Sequence, residues 1–322
     1  MKMYRHIIFA FCFCCTASGL PGQNFARVDS FARSVDLNQL TLQQLTDSLT
    51  RRYPTDLEKV RSIFVWIAHN IAYDYEKRDI TRSDTLAYLS DPLFDDKKLI
   101  ENVLKRRKGI CYDYSYLFRA MCMLSGVKAK LIRGYAKTDY RETGIIPFKT
   151  NHAWNAVFID GKWKLVDVTW ANEERDGVFS IRNFDEQYFL TPPSKLILNH
   201  LPEDDAWQLL EKKVDKKKFF DLPMIWSAFF RYQVQGFAPG KGLIHADNQE
   251  IEIRIKIIES EREIRLIEGN NLLMDNVPVY ENGYYKFRYT TTEETTGDKL
   301  SVAIENDEGE FITVITYKLA HE

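Results

Sequence analysis

The sequence predicts an α+β chain in which helices pack on an antiparallel sheet and a β-sandwich follows. Three observations carry that class. Apolar residues recur at the helical period in several stretches before Gly126. Two alternating runs flank Asp160-Gly161, a hairpin-turn dipeptide. Beyond Gly236, short strand-like runs follow one another between turn residues, as in a sandwich of immunoglobulin type.

The elements follow in order. Lys2 and Arg5 give a basic start, and residues 7–15 are an unbroken apolar run. That run is far shorter than the roughly 20 residues of a membrane span. Ala17-Ser18-Gly19 fits a small-residue cleavage site. Residues 1–22 are therefore expected to be a cleaved export signal, placing the protein outside the cell or in a periplasm. A buried N-terminal helix is the plain alternative. A lipid anchor on Cys14 or Cys15 fits less well, because Phe11 and Phe13 are bulky where small residues are usual. No later stretch is long and apolar enough to span a bilayer.

Residues 25–52 read as helical, with Leu37, Leu40, Leu42 and Leu45. Pro54-Thr55-Asp56 marks a new start, and residues 57–72 set Val60, Ile63, Phe64, Ile67 and Ile71 on one stripe. Residues 81–96 are polar and read as a loop, broken by Pro92. Residues 98–108 make another helix, ending at Gly109. From Cys111, Tyr114, Leu117, Phe118, Met121 and Leu124 recur at helical spacing, and Gly126 suits a C-terminal cap. Residues 127–137 read as a strand, and 139–151 as a loop with Gly144 and Pro147. The hairpin comes next. Composition shifts after Leu210, and residues 215–218 are a charged linker or solvated face. This divides the chain into 23–214 and a sandwich over 215–322, with strands expected at 251–257, 264–267, 284–289, 300–304 and 311–317.

A net charge of −2 gives no electrostatic reason to expect nucleic acid or an anionic membrane as partner. Of five cysteines, three lie within residues 1–22. The other two, Cys111 and Cys122, would sit about 16 Å apart along one helix, beyond disulfide reach. The chain shows no Cys/His cluster at metal-ligand spacing, no phosphate-binding glycine loop and no G-x-S-x-G elbow. No metal or organic cofactor is expected.

Cys111 stands two residues after Gly109, at a helix start where free N–H groups and the helix dipole favour thiolate over thiol. The competing reading is a structural core cysteine, the role that suits Cys122. In the hairpin, a two-residue turn pairs Ile159 with Lys162. His152 and Asp167 then become diagonal neighbours on one face, about 7–8 Å apart at the backbone. A carboxylate at that range can orient an imidazole and stabilise its charged form. Trp154 and Trp163 share the face and could wall a substrate site. An Asp between Val166 and Val168 is costly to bury without a partner. His200, before Leu201-Pro202, reads as structural.

Gly109-Ile110-Cys111-Tyr112-Asp113-Tyr114-Ser115-Tyr116-Leu117, then Arg133-Gly134-Tyr135, then Asn151-His152-Ala153-Trp154-Asn155, then the run from Gly161 to Trp170, resemble the transglutaminase-like superfamily. Phe189-Leu190-Thr191-Pro192-Pro193, His200-Leu201-Pro202 and Trp207-Gln208-Leu209-Leu210 resemble its kyphoscoliosis-peptidase-like branch and bacterial relatives. The resemblance implies a papain-like core with Cys111 as nucleophile, His152 as general base and then acid, and Asp167 as orienting group. Animal transglutaminases usually carry Gln before the Cys; here it is Ile110, and no acidic cluster suits their calcium sites. For the oxyanion, the Cys111 N–H is one expected donor, with Trp66, Asn70 and Tyr73 as candidates for a second.

Three functions fit. A secreted thiol peptidase or amidase would act on a protein or peptide substrate, cell-wall peptide among them. A protein-glutamine acyltransferase would use the same acyl-enzyme. A binding or scaffold protein would keep the fold without the activity.

Overall fold

The computed structural model describes residues 25–36, 40–78, 96–172, 174–175, 178–179, 183–246, 250–258, 262–292 and 297–321. The expected export signal lies outside these residues. So does the loop expected over 81–96, except Asp96. Among the described residues no helix is long and apolar enough to cross a membrane, and Cys111 and Cys122 are free thiols.

The stretch expected as one helix over 25–52 is two, α1 (Ala26–Ser34) and α2 (Leu42–Thr50). The second starts afresh because Thr41 and Gln44 form a reciprocal capping box: Gln44 N–H donates to Thr41 Oγ1 and Thr41 N–H to Gln44 Oε1. Helix α3 (Asp56–Asn70) is the central core element, with Val60, Ile63, Phe64, Val65, Trp66 and Ile67 all fully buried. Arg61 is also buried on α3, but its guanidinium is satisfied by two carboxylates, Asp29 on α1 and Glu186. Those paired bonds offset the desolvation of the charge and clamp three segments together. Helices α4 (Asp96–Arg106) and α5 (Cys111–Leu124) complete the layer.

Helix α5 packs on a four-stranded antiparallel sheet of β3 (Ala129–Ala136), β4 (His152–Ile159), β5 (Lys162–Val166) and β6 (His200–Pro202), ordered β5-β4-β3-β6. Two short strands, β1 (Ala72–Tyr73) and β2 (Lys108–Gly109), pair in parallel beside the start of α5. Asp160 and Gly161 both take positive φ, 54° and 73°, so the two-residue turn forms and Ile159 pairs with Lys162.

The charged run at 216–218 opens a helix, α6 (Lys216–Asp221), which buries Phe219 and Phe220 against Tyr135, Ile197 and Leu201. Strand β7 (Met224–Ile225) then joins the outer edge of the larger sheet of the C-terminal part. A six-stranded sheet and a four-stranded sheet enclose a second core that includes Ile253, Ile255, Leu266, Phe287, Leu300 and Val302. Both expected halves, helices on an antiparallel sheet and then a sandwich of sheets, are present. Their contact includes a bond of 2.6 Å from the Tyr140 hydroxyl to Asp298. It also includes the buried Lys137, whose Nζ donates to the carbonyls of Phe219, Leu222 and Pro223 at 3.2, 2.8 and 3.0 Å.

Candidate active site

Cys111 is the first residue of α5, and the chain reaching it is fixed on both sides. Tyr73 is the strand partner of Gly109, and Asp74 N–H donates to Gly109 O. Asp113, one turn into the helix, accepts Ile110 N–H at 2.9 Å and the Lys77 ammonium at 2.6 Å. A side chain at position 109 would lie 2.7 Å from Asp113 Cβ, so this approach requires glycine. Further along, Asn155 on β4 donates to Ser115 O at 3.0 Å and Lys130 O at 3.2 Å, stitching helix to sheet. The Tyr114 hydroxyl and the Asn172 amide both bond Ile71 O.

His152 opens β4 beside Gly134. Any side chain at 134 would fall 2.2 Å from Leu201 O and 2.5 Å from the Trp154 ring, so glycine lets β6 close on β3. His152 Nε2 lies 2.6 Å from Asp167 Oδ2. That commitment leaves Nδ1 for Cys111, whose sulfur interacts with the ring. Asp167 follows β5 and is fully buried with all its oxygens engaged. Oδ1 accepts the N–H groups of Thr169 and Trp170, and Oδ2 takes both His152 and His200, the latter at 2.9 Å.

The electrostatics follow from those contacts. Burial pulls the His152 pKa down, but the Asp167 charge and hydrogen bond, joined by Cys111, outweigh it and push it up to about 10. Burial alone would raise the Asp167 pKa; His152 and then His200 hold the carboxyl well below the usual range. Burial takes His200 the other way, down to about 4, against the pull of Asp167. His200 is therefore neutral and carries one N–H. Asp167 needs that proton on Nε2, so Nδ1 accepts. In the structure the Asn199 oxygen lies 2.7 Å from Nδ1 and the Asn199 NH2 donates to the Tyr188 hydroxyl at 3.4 Å; an accepting Nδ1 requires the amide to be reversed, with NH2 toward Nδ1 and oxygen toward Tyr188.

Cys111 and His152 line a cleft of about 640 Å³, together with Tyr73, Trp170, Tyr188 and, from beyond β7, Trp226. Neither of the two expected wall tryptophans lines it. Trp154 is buried behind His152, its ring stacked at 5.9 Å. Trp163 sits near the hairpin turn against Phe158 and Trp207. Strand parity set their face correctly but not their depth along the strand. Of the three candidates for a second oxyanion donor, Trp66 spends its N–H on Val35 O, and Asn70 spends its amide on Trp66 O and Arg107. Tyr73 lines the cleft.

His152, Asp167 and His200 are the set of groups close enough to hold a metal among the described residues. The 2.6 Å contact is a hydrogen bond, shorter than the ~3.3 Å between two ligands of a tetrahedral zinc. Hydrogen bonding accounts for the cluster.

Residues 43–168 match the transglutaminase-like superfamily. The chain carries a transglutaminase-like domain. It is also homologous to kyphoscoliosis peptidase: 32% identical to the Homo sapiens protein over 237 residues, covering 73% of this chain and 34% of that one. Hillarin of Drosophila melanogaster is 30% identical over 238 residues, 68% of this chain and 27% of the relative. The chain thus spans about a third of the length of these relatives. The match to the transglutaminase-like domain takes in Cys111, His152 and Asp167. It stops before His200, whose sequence setting before Leu201-Pro202 reads as structural. His200 reaches Asp167 only because β6 pairs with β3, Ala136 opposite His200.

Proposed function

We propose that this is a thiol-dependent peptidase or amidase working through Cys111, His152 and Asp167. The observation that carries the reading is the buried 2.6 Å contact between His152 and Asp167, with the Cys111 side chain interacting with the same imidazole. A protonated His152 stabilises a neighbouring thiolate. That thiolate attacks a carbonyl, and the Cys111 N–H at the helix start is the donor proposed for the developing oxyanion. His152 then gives its proton to the leaving amine, and a thioester remains on Cys111. Water, deprotonated by His152, completes hydrolysis. An amine in place of that water would give acyl transfer, the second outcome that a transglutaminase-like domain brings into view. The substrate is a protein or peptide chain, and residues 1–22 are proposed to direct export.

The test is capture of a thioester on Cys111 by mass spectrometry with a peptide panel, against Cys111→Ala. Peptide cleavage and incorporation of a labelled amine then separate hydrolysis from transfer. Absence of any adduct across the panel would leave the scaffold reading.

A further inference from the structure

The loop between β3 and β4 holds an apolar tip in water. Ile145 is 56%, Ile146 51% and Phe148 95% exposed. The loop beneath them is fixed. Asp139 caps the turn at Tyr140–Glu142, and Gly144 N–H donates to Phe220 O at 2.8 Å. Lys216 Nζ donates to Pro147 O at 2.7 Å, and Asn151 exchanges two hydrogen bonds with the Ala136 backbone. Three large apolar side chains held outward on an anchored loop mark a contact surface, because nothing in the loop itself rewards their exposure.

The same strip of chain runs into the cleft. Pro147, Lys149, Thr150 and Asn151 line it, and His152 follows directly. A chain leaving the reacting centre over Pro147 meets Phe148 next. This continuity selects the occupant: a polypeptide can fill cleft and tip together, whereas a lipid surface would use the tip alone.

We propose that Ile145, Ile146 and Phe148 form a docking site for the polypeptide substrate, taking a bulky apolar side chain a few residues from the carbonyl that Cys111 attacks. The proposal deepens the peptidase reading and rests on it for the identity of the ligand. The test uses the full chain carrying Cys111→Ala, so that binding is read without turnover. Fluorescent peptides carry one Phe at successive positions of a Gly/Ser/Gln host. One or two positions are expected to tighten binding about tenfold over the host peptide. Adding Phe148→Ser and Ile146→Ser is expected to erase that gain, with host-peptide affinity and melting temperature unchanged. Three results overturn the proposal: no position that tightens binding, a gain that survives both substitutions, or Phe148-dependent binding to phosphatidylcholine vesicles or to a second copy of the chain. Peptides that bind yet never acylate the unmodified protein would sink the thiol mechanism and leave the docking site standing.

Discussion

Cys111 and Cys122 share helix α5 but meet opposite surroundings. Cys122 is fully buried, and burial pushes its thiol pKa far above the ordinary range. Cys111 opens into the cleft beside an imidazole. Iodoacetamide is therefore expected to alkylate Cys111 at least tenfold faster than Cys122 at about pH 7, read by peptide mapping; equal, slow labelling contradicts the assignment. Asp167→Asn removes the charge that holds His152 protonated. By analogy with triad enzymes, kcat should fall about 10³–10⁴-fold. His200 acts through Asp167 and is a positioning residue. His200→Leu leaves Oδ2 short of one donor in a buried site, a loss of about 1–3 kcal/mol of stability. It should also lower kcat with KM little changed. His200→Gln retains an N–H donor and should restore part of kcat, which a purely packing role does not predict.

At the scale of elements, the site depends on how closely strands and helices approach. Gly134→Ala would set a methyl 2.2 Å from the backbone oxygen of Leu201. The neighbour is backbone and cannot rotate away, so β6 must part from β3 and take His200 off Asp167. The expected cost is about 1–3 kcal/mol or more in chemical denaturation, with a fall in the rate of Cys111 acylation. This dependence also explains what the sequence could disclose. The hairpin was legible because Asp160-Gly161 fixes its own register, and register alone puts His152 and Asp167 on one face. Cys111 was legible because Gly109 and the stripe from Tyr114 mark a helix start. His200 was not, since its place depends on a pairing between strands more than sixty residues apart in sequence. The split of the first helical stretch was written in Thr41 and Gln44, but the leucine periodicity masked it. Trp163 shows the limit of parity: alternation gives a face, while reach depends on where the turn and the cleft lie along the strand.

For the molecule as a whole, two buried groups give stability opposite dependences on pH. His152 has a folded pKa of about 10 against an ordinary 6.5, so between those values the folded chain holds the extra proton. Its contribution is complete below the lower value and is lost as pH rises through the upper one. Lys137, in the joint between the two halves, has its pKa pulled down by burial to about 7 from 10.5, against the pull of Glu142 and Asp221. There the unfolded chain holds the extra proton, and stability rises with pH over nearly the same window. The two slopes therefore run in opposite directions in the intact protein. Replacing Lys137 with Met removes one slope and strands the carbonyls of Phe219, Leu222 and Pro223. The variant should be less stable, and relative to the unmodified protein it should lose further stability from about pH 7 to about pH 9. Asp167→Asn removes the other slope, and its deficit relative to the unmodified protein should shrink over the same range. Denaturant midpoints of the three proteins at both pH values decide the matter. Parallel pH profiles for all three would show that neither group titrates as its burial and neighbours require.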